Sequence, residues 1–237
     1  MVRFYFMRIL KDYLAHAIFI GLPVFLIATL TYINAPDQAN WPEASRVIAI
    51  LFILMFQIFG ASYTFEGLQK DFLSPMKDRL HATPVNPAWL VVIQIAYSTL
   101  ASLLQSMVLI GFTIIFFDAA FENIPGLLGI LILSALSAQL LGGLLVLITK
   151  SAAKSQVVMT LYAIIAPILA GLNFELPDSN VKPYIEKYSS PVAWANRGLE
   201  GVHTGNADSI MFSVLMLIGF AVVLGTLIRH FAKKVIL

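Results

Sequence analysis

Six apolar runs, each long enough to cross a hydrocarbon core, alternate with short polar stretches along the chain. They are Leu14–Ile33, Val47–Phe65, Ala88–Phe117, Gly126–Thr149, Gln156–Leu172 and Ser209–Arg229. Each reads as a membrane-spanning α-helix. The first contains Pro23, which such helices tolerate when neighbours satisfy the freed carbonyl. The third is about 30 residues long, so it must tilt or project from the bilayer. Ahead of these runs, Met1–Tyr13 mixes aromatics with Arg3, Arg8 and Lys11. It is too short and too charged to span, and suits an amphipathic helix lying in the interface. A cleaved signal fits less well, because no small-residue cleavage site follows and the apolar run continues too far.

Composition agrees with this pattern. Of 237 residues, 59% are apolar and 12% charged, whereas soluble domains carry about 25% charge. A mean hydropathy of +0.86 excludes a disordered chain or a coiled coil. The expected fold is therefore an all-α integral membrane protein, a single domain over 1–237 with short loops. The absence of cysteine removes disulfides, thiolate metal sites and cysteine nucleophiles.

Basic residues set the expected orientation. With the N-terminus in the cytoplasm, the inner segments hold Arg3, Arg8, Lys11, Lys70, Lys77, Arg79, Lys150, Lys154, Arg229, Lys233 and Lys234. The outer ones hold only Arg46, Lys182, Lys187 and Arg197. The positive-inside rule then places both termini in the cytoplasm.

No acidic, basic or histidine side chain lies in the middle third of any span. Ion-coupled carriers usually keep one there, so the pattern fits a machine energised from outside the membrane. Uncharged polar residues do occur, in stripes. Gln94, Ser98, Ser102, Gln105 and Ser106 share about 120° of arc on the third span. Gln57, Gly60, Ala61 and Thr64 share a face of the second. Helix–helix hydrogen bonding is the simpler role. The alternative is a translocation path, with Gln57, Thr64, Gln94, Ser98 and Asn173 as its candidates. Ser134, Ala138 and Gly142, and also Ala221 and Gly225, suit close helix packing. The four histidines are scattered, which leaves no legible metal site. The sequence has no P-loop, GxSxG or HExxH run.

Two connections are longer than helix linkage needs. Glu66–Pro87 reads as a cytoplasmic segment in which Ser74-Pro75 opens a short helix. Leu73, Met76 and Leu80 give that helix an apolar side, next to Asp78 and Arg79. It could rest on lipid or dock a cytoplasmic protein. On the outer side, 173–205 carries Pro177, Pro183 and Pro191 with Tyr184, Tyr188 and Trp194 between and after them. Its Val192–Leu199 run is too short to span. A re-entrant or interfacial hairpin, anchored by those three aromatics at headgroup level, accounts for it.

The stretch Lys70–Pro87, with Asp71 and then Asp78-Arg79-Leu80-His81-Ala82-Thr83-Pro84, resembles the cytoplasmic loop of type-2 ABC exporter permeases. The small daunorubicin-resistance and nodulation-type group is the most similar. The later segment is also similar: Pro167, Leu176-Pro177, Pro183-Tyr184, Ser190-Pro191 and Trp194–Leu199 follow the order seen in that group. Two departures stand out. Ser74-Pro75-Met76 replaces the usual glycine before the Asp-Arg pair, and Ser190 replaces the usual Asn before the late proline.

The resemblance implies six helices per subunit, two permease subunits as homodimer or heterodimer, and two ABC ATPase subunits on separate chains. ATP and Mg would bind those partners, and this chain would carry no cofactor or catalytic residue and bind no nucleic acid. It implies a bacterial cytoplasmic (inner) membrane location. The transporter would export an amphipathic or hydrophobic substrate, a drug, lipid or peptide. ATPase contact would fall on Glu66, Asp71, Leu73, Met76, Asp78, Arg79 and Leu80. The alternatives are a haem-exporter B-type permease, or a membrane-embedded scaffold or enzyme.

Overall fold

The computed structural model describes residues 13–35, 37–75, 87–172 and 176–236. Those residues form helices and connections, with no strand among them. The helices are α1 (Tyr13–Asn34), α2 (Trp41–Phe59), α3 (Ser62–Phe72), α4 (Pro87–Phe117), α5 (Ile124–Thr149), α6 (Ala152–Leu169), α7 (Lys182–Tyr188), α8 (Pro191–Thr204) and α9 (Ala207–Ile236). Six apolar segments are long enough to cross a membrane, with α2 and α3 together forming one of them. The expected all-α architecture with six spans is therefore present.

Local chemistry sets the helix boundaries. Asn123 caps α5 by accepting from the Gly126 amide, with Pro125 in the first turn. Ser151 caps α6 through the Lys154 amide. A left-handed Gly205, at φ +70°, ends α8 and lets the chain turn directly into α9. The second span departs from its expected limits at both ends. It begins earlier, at Trp41, where the indole donates to the Ala35 carbonyl at 2.8 Å and stacks edge-on against Phe117. It also does not stop at Phe65.

The α-helical pattern is interrupted at Gly60-Ala61, both right-handed with a local i→i−3 bond, and the chain continues as α3 to Phe72. The polar residues Glu66, Gln69, Lys70 and Asp71 make this stretch look like a loop by hydropathy. Helical periodicity instead puts Tyr63, Thr64, Phe65, Leu68 and Phe72 on a buried face, while Glu66 and Lys70 pair at 3.8 Å on the exposed one. Residues 66–72, the first part of the expected cytoplasmic segment, are therefore helical and belong to α3.

Helix α5 lies at the centre and packs against α2, α3, α4, α6, α8 and α9. The polar and small faces of α2 to α5 turn inward, and Gly142 of α5 lies so close to Ala61 that a Cβ there would sit 2.8 Å from the alanine methyl. Gly225 of α9, by contrast, faces open space. Among the described residues no helix of this chain packs on it. Helices α1 and α9 leave most of their surface uncovered, as lipid-facing helices do.

Candidate functional site: a polar clamp around the bend in the second span

The stripe on α4 meets the second span in the core. Gln57, Thr64, Gln94, Ser98, Ser102, Gln105, Ser106 and Gln139 are all buried. Their side chains bond chiefly across helices. Gln57 Nε2 of α2 donates to Ser106 Oγ of α4 at 3.0 Å and to the Leu131 carbonyl of α5 at 3.3 Å. Thr64 Oγ1 of α3 donates to Gln139 Oε1 of α5 at 2.6 Å, and Gln139 Nε2 donates on to Ser102 Oγ of α4 at 2.9 Å. Tyr63 is gripped twice by α4. Gln94 Nε2 donates to its carbonyl at 2.7 Å, and Gln105 Nε2 donates to its hydroxyl at 2.9 Å. Gln94 also donates to Ser98 Oγ at 3.1 Å.

In an apolar surround these bonds have no water to compete with, and they fix which helices touch and in what register. The close approach needs Gly60 and Gly67. A Cβ on Gly60 would lie 2.7 Å from Ser102 Oγ, and one on Gly67 would overlap the Gln94 carboxamide. The far end of α3 is tied as well, because the Ala152 amide at the start of α6 donates to Gln69 Oε1. Helix α3 is therefore fastened to α4, α5 and α6 along its whole length.

The residues expected to meet an ATPase divide between surface and core. Glu66 is exposed, Leu73 is half-buried against the core, and Asp71 is buried at 6% exposure. Ser74 Oγ donates to the Lys70 carbonyl and closes the end of α3. Met76, Asp78, Arg79 and Leu80 lie outside the described residues, as do Met1–Asp12 of the expected interfacial helix and Asn173 of the candidate path. The other four path candidates, Gln57, Thr64, Gln94 and Ser98, face the interior of the bundle and bond there. Sequence reasoning missed Gln139, Gln69 and Tyr63 as members of this clamp. A glutamine inside an apolar helix was the available signal for Gln139.

At the other end of the bundle, Tyr184 and Tyr188 of α7 are exposed, but Trp194 of α8 turns inward, its ring 5.7 Å from that of Phe220 in an edge-to-face contact. Ser190 is the N-cap of α8, accepting from the Ala193 amide at 3.2 Å, and Pro191 takes the first helical position. Serine and asparagine serve equally at an N-cap, so Ser190 preserves the geometry that an Asn-Pro pair would give. Helix α8 then runs back against α9. Gly198 lies against Ser213, and a Cβ on Gly201 would sit 2.9 Å from Ser209 Cβ. Among the described residues no group of three His, Asp or Glu side chains could hold a metal ion.

The sequence matches the family described as ABC-2 family transporter protein over residues 27–229, from within α1 to near the end of α9. No curated protein matches the chain. The matched region takes in the second span, the clamp and helices α7 and α8 together. The chain belongs to the ABC-2 family of transporter proteins, as the multi-pass membrane component of an ABC transporter that works with an ABC ATPase.

Proposed function

We propose that this chain is the permease of an ATP-driven exporter that moves an amphipathic or hydrophobic substrate out of a bacterial cytoplasm through the inner membrane. Two copies, or this chain and a sibling permease, would pair with two ATPase subunits. Both termini and the segment after Phe72 would face the cytoplasm. The observation that carries this reading is the clamp on α3. A push on the segment following Phe72 reaches a helix that is fastened to three spans at once, so it would be delivered to α4, α5 and α6 rather than absorbed by a loose loop. The charge-free span interiors support an external energy source and an amphipathic cargo.

The α7–α8 hairpin supports a re-entrant outer element. Trp194 meets Phe220, and from Ala207 to Phe220 is about 20 Å of helix at 1.5 Å per residue. Helix α8 therefore descends beside the apolar part of α9. The clamp occupies Gln57, Thr64, Gln94 and Ser98 in interhelical bonds. We assign them to force transmission, and a path along them would require α3, α4 and α5 to separate.

Contact with the ATPase is assigned to Met76 and Leu80 as apolar anchors, with Asp78 and Arg79 as polar register and Glu66 at the rim. Asp71 and Leu73 would hold the base of the segment. Loss of an interface anchor costs about 2 kcal/mol or more, and a rim charge costs less. Met76→Asp should therefore abolish co-purification of the ATPase and substrate-stimulated ATP hydrolysis while the permease still inserts. Arg79→Ala should give a milder loss. Normal export by Met76→Asp would refute the docking assignment.

A further inference from the structure

We infer that a cavity between the end of α6, α7 and α8 holds the headgroup of a phospholipid, with the zwitterionic phosphatidylethanolamine class preferred. The cavity has a volume of about 440 Å³ and is lined by Leu172, Glu186, Lys187, Asn196, Arg197 and Glu200. Its two cations are held by an aromatic ring rather than by acids. Lys187 Nζ lies 5.1 Å, and the Arg197 guanidinium 5.3 Å, from the centre of the Phe212 ring. Among the described residues neither forms a salt bridge. Two neighbouring positive charges repel each other, and an anion in the cavity relieves that repulsion. A phosphate oxygen supplies the acceptor, and charge-assisted bonds to Arg and Lys are strong.

A simple anion fits the other wall poorly. Glu186 and Glu200 line the same cavity, and among the described residues only Glu200 has a donor, Asn196 Nδ2 at 3.1 Å. Glu186 is left for an ammonium. A group carrying phosphate and ammonium a few bonds apart satisfies both walls, whereas free phosphate would face two carboxylates. The site also lies at the right depth. Val47, which lines the cavity, and Phe212 fall within the first two turns of α2 and α9. They are no more than about 10 Å from the helix starts, within reach of the headgroup layer. Tyr184 and Tyr188 are exposed on α7 nearby, as aromatics at that level are. This inference needs only a membrane-embedded chain and goes beyond the exporter reading.

The test uses the full chain, purified in detergent and stripped of lipid, with its melting temperature followed during lipid addition. Dioleoyl phosphatidylethanolamine should raise the melting temperature, and dioleoylglycerol, which has the same acyl chains and no headgroup, should not. Arg197→Gln should raise the lipid concentration needed for half the effect by about tenfold or more, the loss expected for one charge-assisted bond. If that variant fails to fold, Lys187→Gln takes its place with the same expectation. Glu186→Gln should erase the preference for phosphatidylethanolamine over phosphatidylglycerol. An unchanged lipid response in the cation variant overturns the site. A retained preference in Glu186→Gln overturns the zwitterionic assignment. An Arg197-dependent rise with inorganic phosphate alone, equal to that with lipid, overturns the lipid assignment in favour of a free anion.

Discussion

Substituting Gly67 by alanine should have opposite signs in two backgrounds. The added Cβ would lie 2.5 and 2.6 Å from the amide nitrogen and oxygen of Gln94, so that side chain must leave. It would forfeit its bonds to the Tyr63 carbonyl and to Ser98. The interhelical bond to Tyr63 contributes about 0.6 kcal/mol, and the bond to Ser98 within α4 about 0.2–0.5 kcal/mol, about 1 kcal/mol together. A displaced carboxamide with no partner adds about 1–3 kcal/mol. Alanine returns about 1 kcal/mol of helix propensity. The net loss is about 1–3 kcal/mol. Gln94→Ala alone should cost about 1 kcal/mol, partly because the buried Gln94 oxygen accepts no bond to lose. Once Gln94 is gone, Gly67→Ala meets no clash and retains its propensity gain. The double variant should then be more stable than Gln94→Ala by up to about 1 kcal/mol, giving a coupling energy of about 2 kcal/mol or more. Equilibrium unfolding in mixed micelles reads all four proteins. Additivity within about 0.5 kcal/mol would show that α3 and α4 are not packed through this contact.

Single cysteines at Ala39, Asp118 and Ser179 should react with an impermeant thiol reagent in intact cells, and those at Lys77, Lys154 and Lys233 only after the membrane is opened; labelling of the second set in intact cells reverses the orientation. Trp194→Ala should destabilise the fold by about 3 kcal/mol, because it removes a large ring from its contact with Phe220. Tyr188→Ala, at an exposed ring, should leave thermal stability nearly unchanged, and equal losses would contradict the inward setting of Trp194. Ser190→Asn should match the natural protein in melting temperature while Ser190→Ala falls by about 1 kcal/mol; a deficit in the asparagine variant would mean that Ser190 does more than cap α8.

The six spans were legible because hydropathy over about 20 residues carries the signal directly. Their ends were less so, for identifiable reasons. Glu66–Phe72 is polar enough to read as a loop, and its helicity follows from a buried face that exists only once α4 and α5 are beside it. Ala207 and Asp208 precede the apolar run of α9, yet the left-handed Gly205 starts the helix there. The polar stripe on α4 was visible as a face, but a stripe does not name its partners. That Gln139 and Tyr63 complete it depends on the register of α5 and on the break at Gly60-Ala61, which no periodicity encodes. Trp194 looked like an interface anchor because aromatics near prolines at a span end usually are. The turn at Gly205 folds α8 back along α9, so the indole meets Phe220 instead.

The position of the clamp bears on how such a chain can move. The helical hydrogen-bond ladder is interrupted at Gly60-Ala61, and polar bonds lie on both sides of the break: Gln57 holds the α2 side to α4 and α5, while Tyr63 and Thr64 hold the α3 side to the same two helices. The break is therefore braced. If each bond contributes about 0.6 kcal/mol, separating α3 from α4 and α5 at Thr64–Gln139 and the two Tyr63 contacts costs about 2 kcal/mol before any packing is lost. That is small beside the total stability of a folded domain, about 5–15 kcal/mol, and large beside thermal energy. Bonds of this size keep one arrangement dominant at rest while leaving a second within reach of a modest external bias. Charged pairs in the same place would have raised the cost of exposure to lipid, and an all-apolar contact would have specified the register less sharply. Glutamine, serine and threonine at this break are therefore suited to a joint that holds its register yet can be driven.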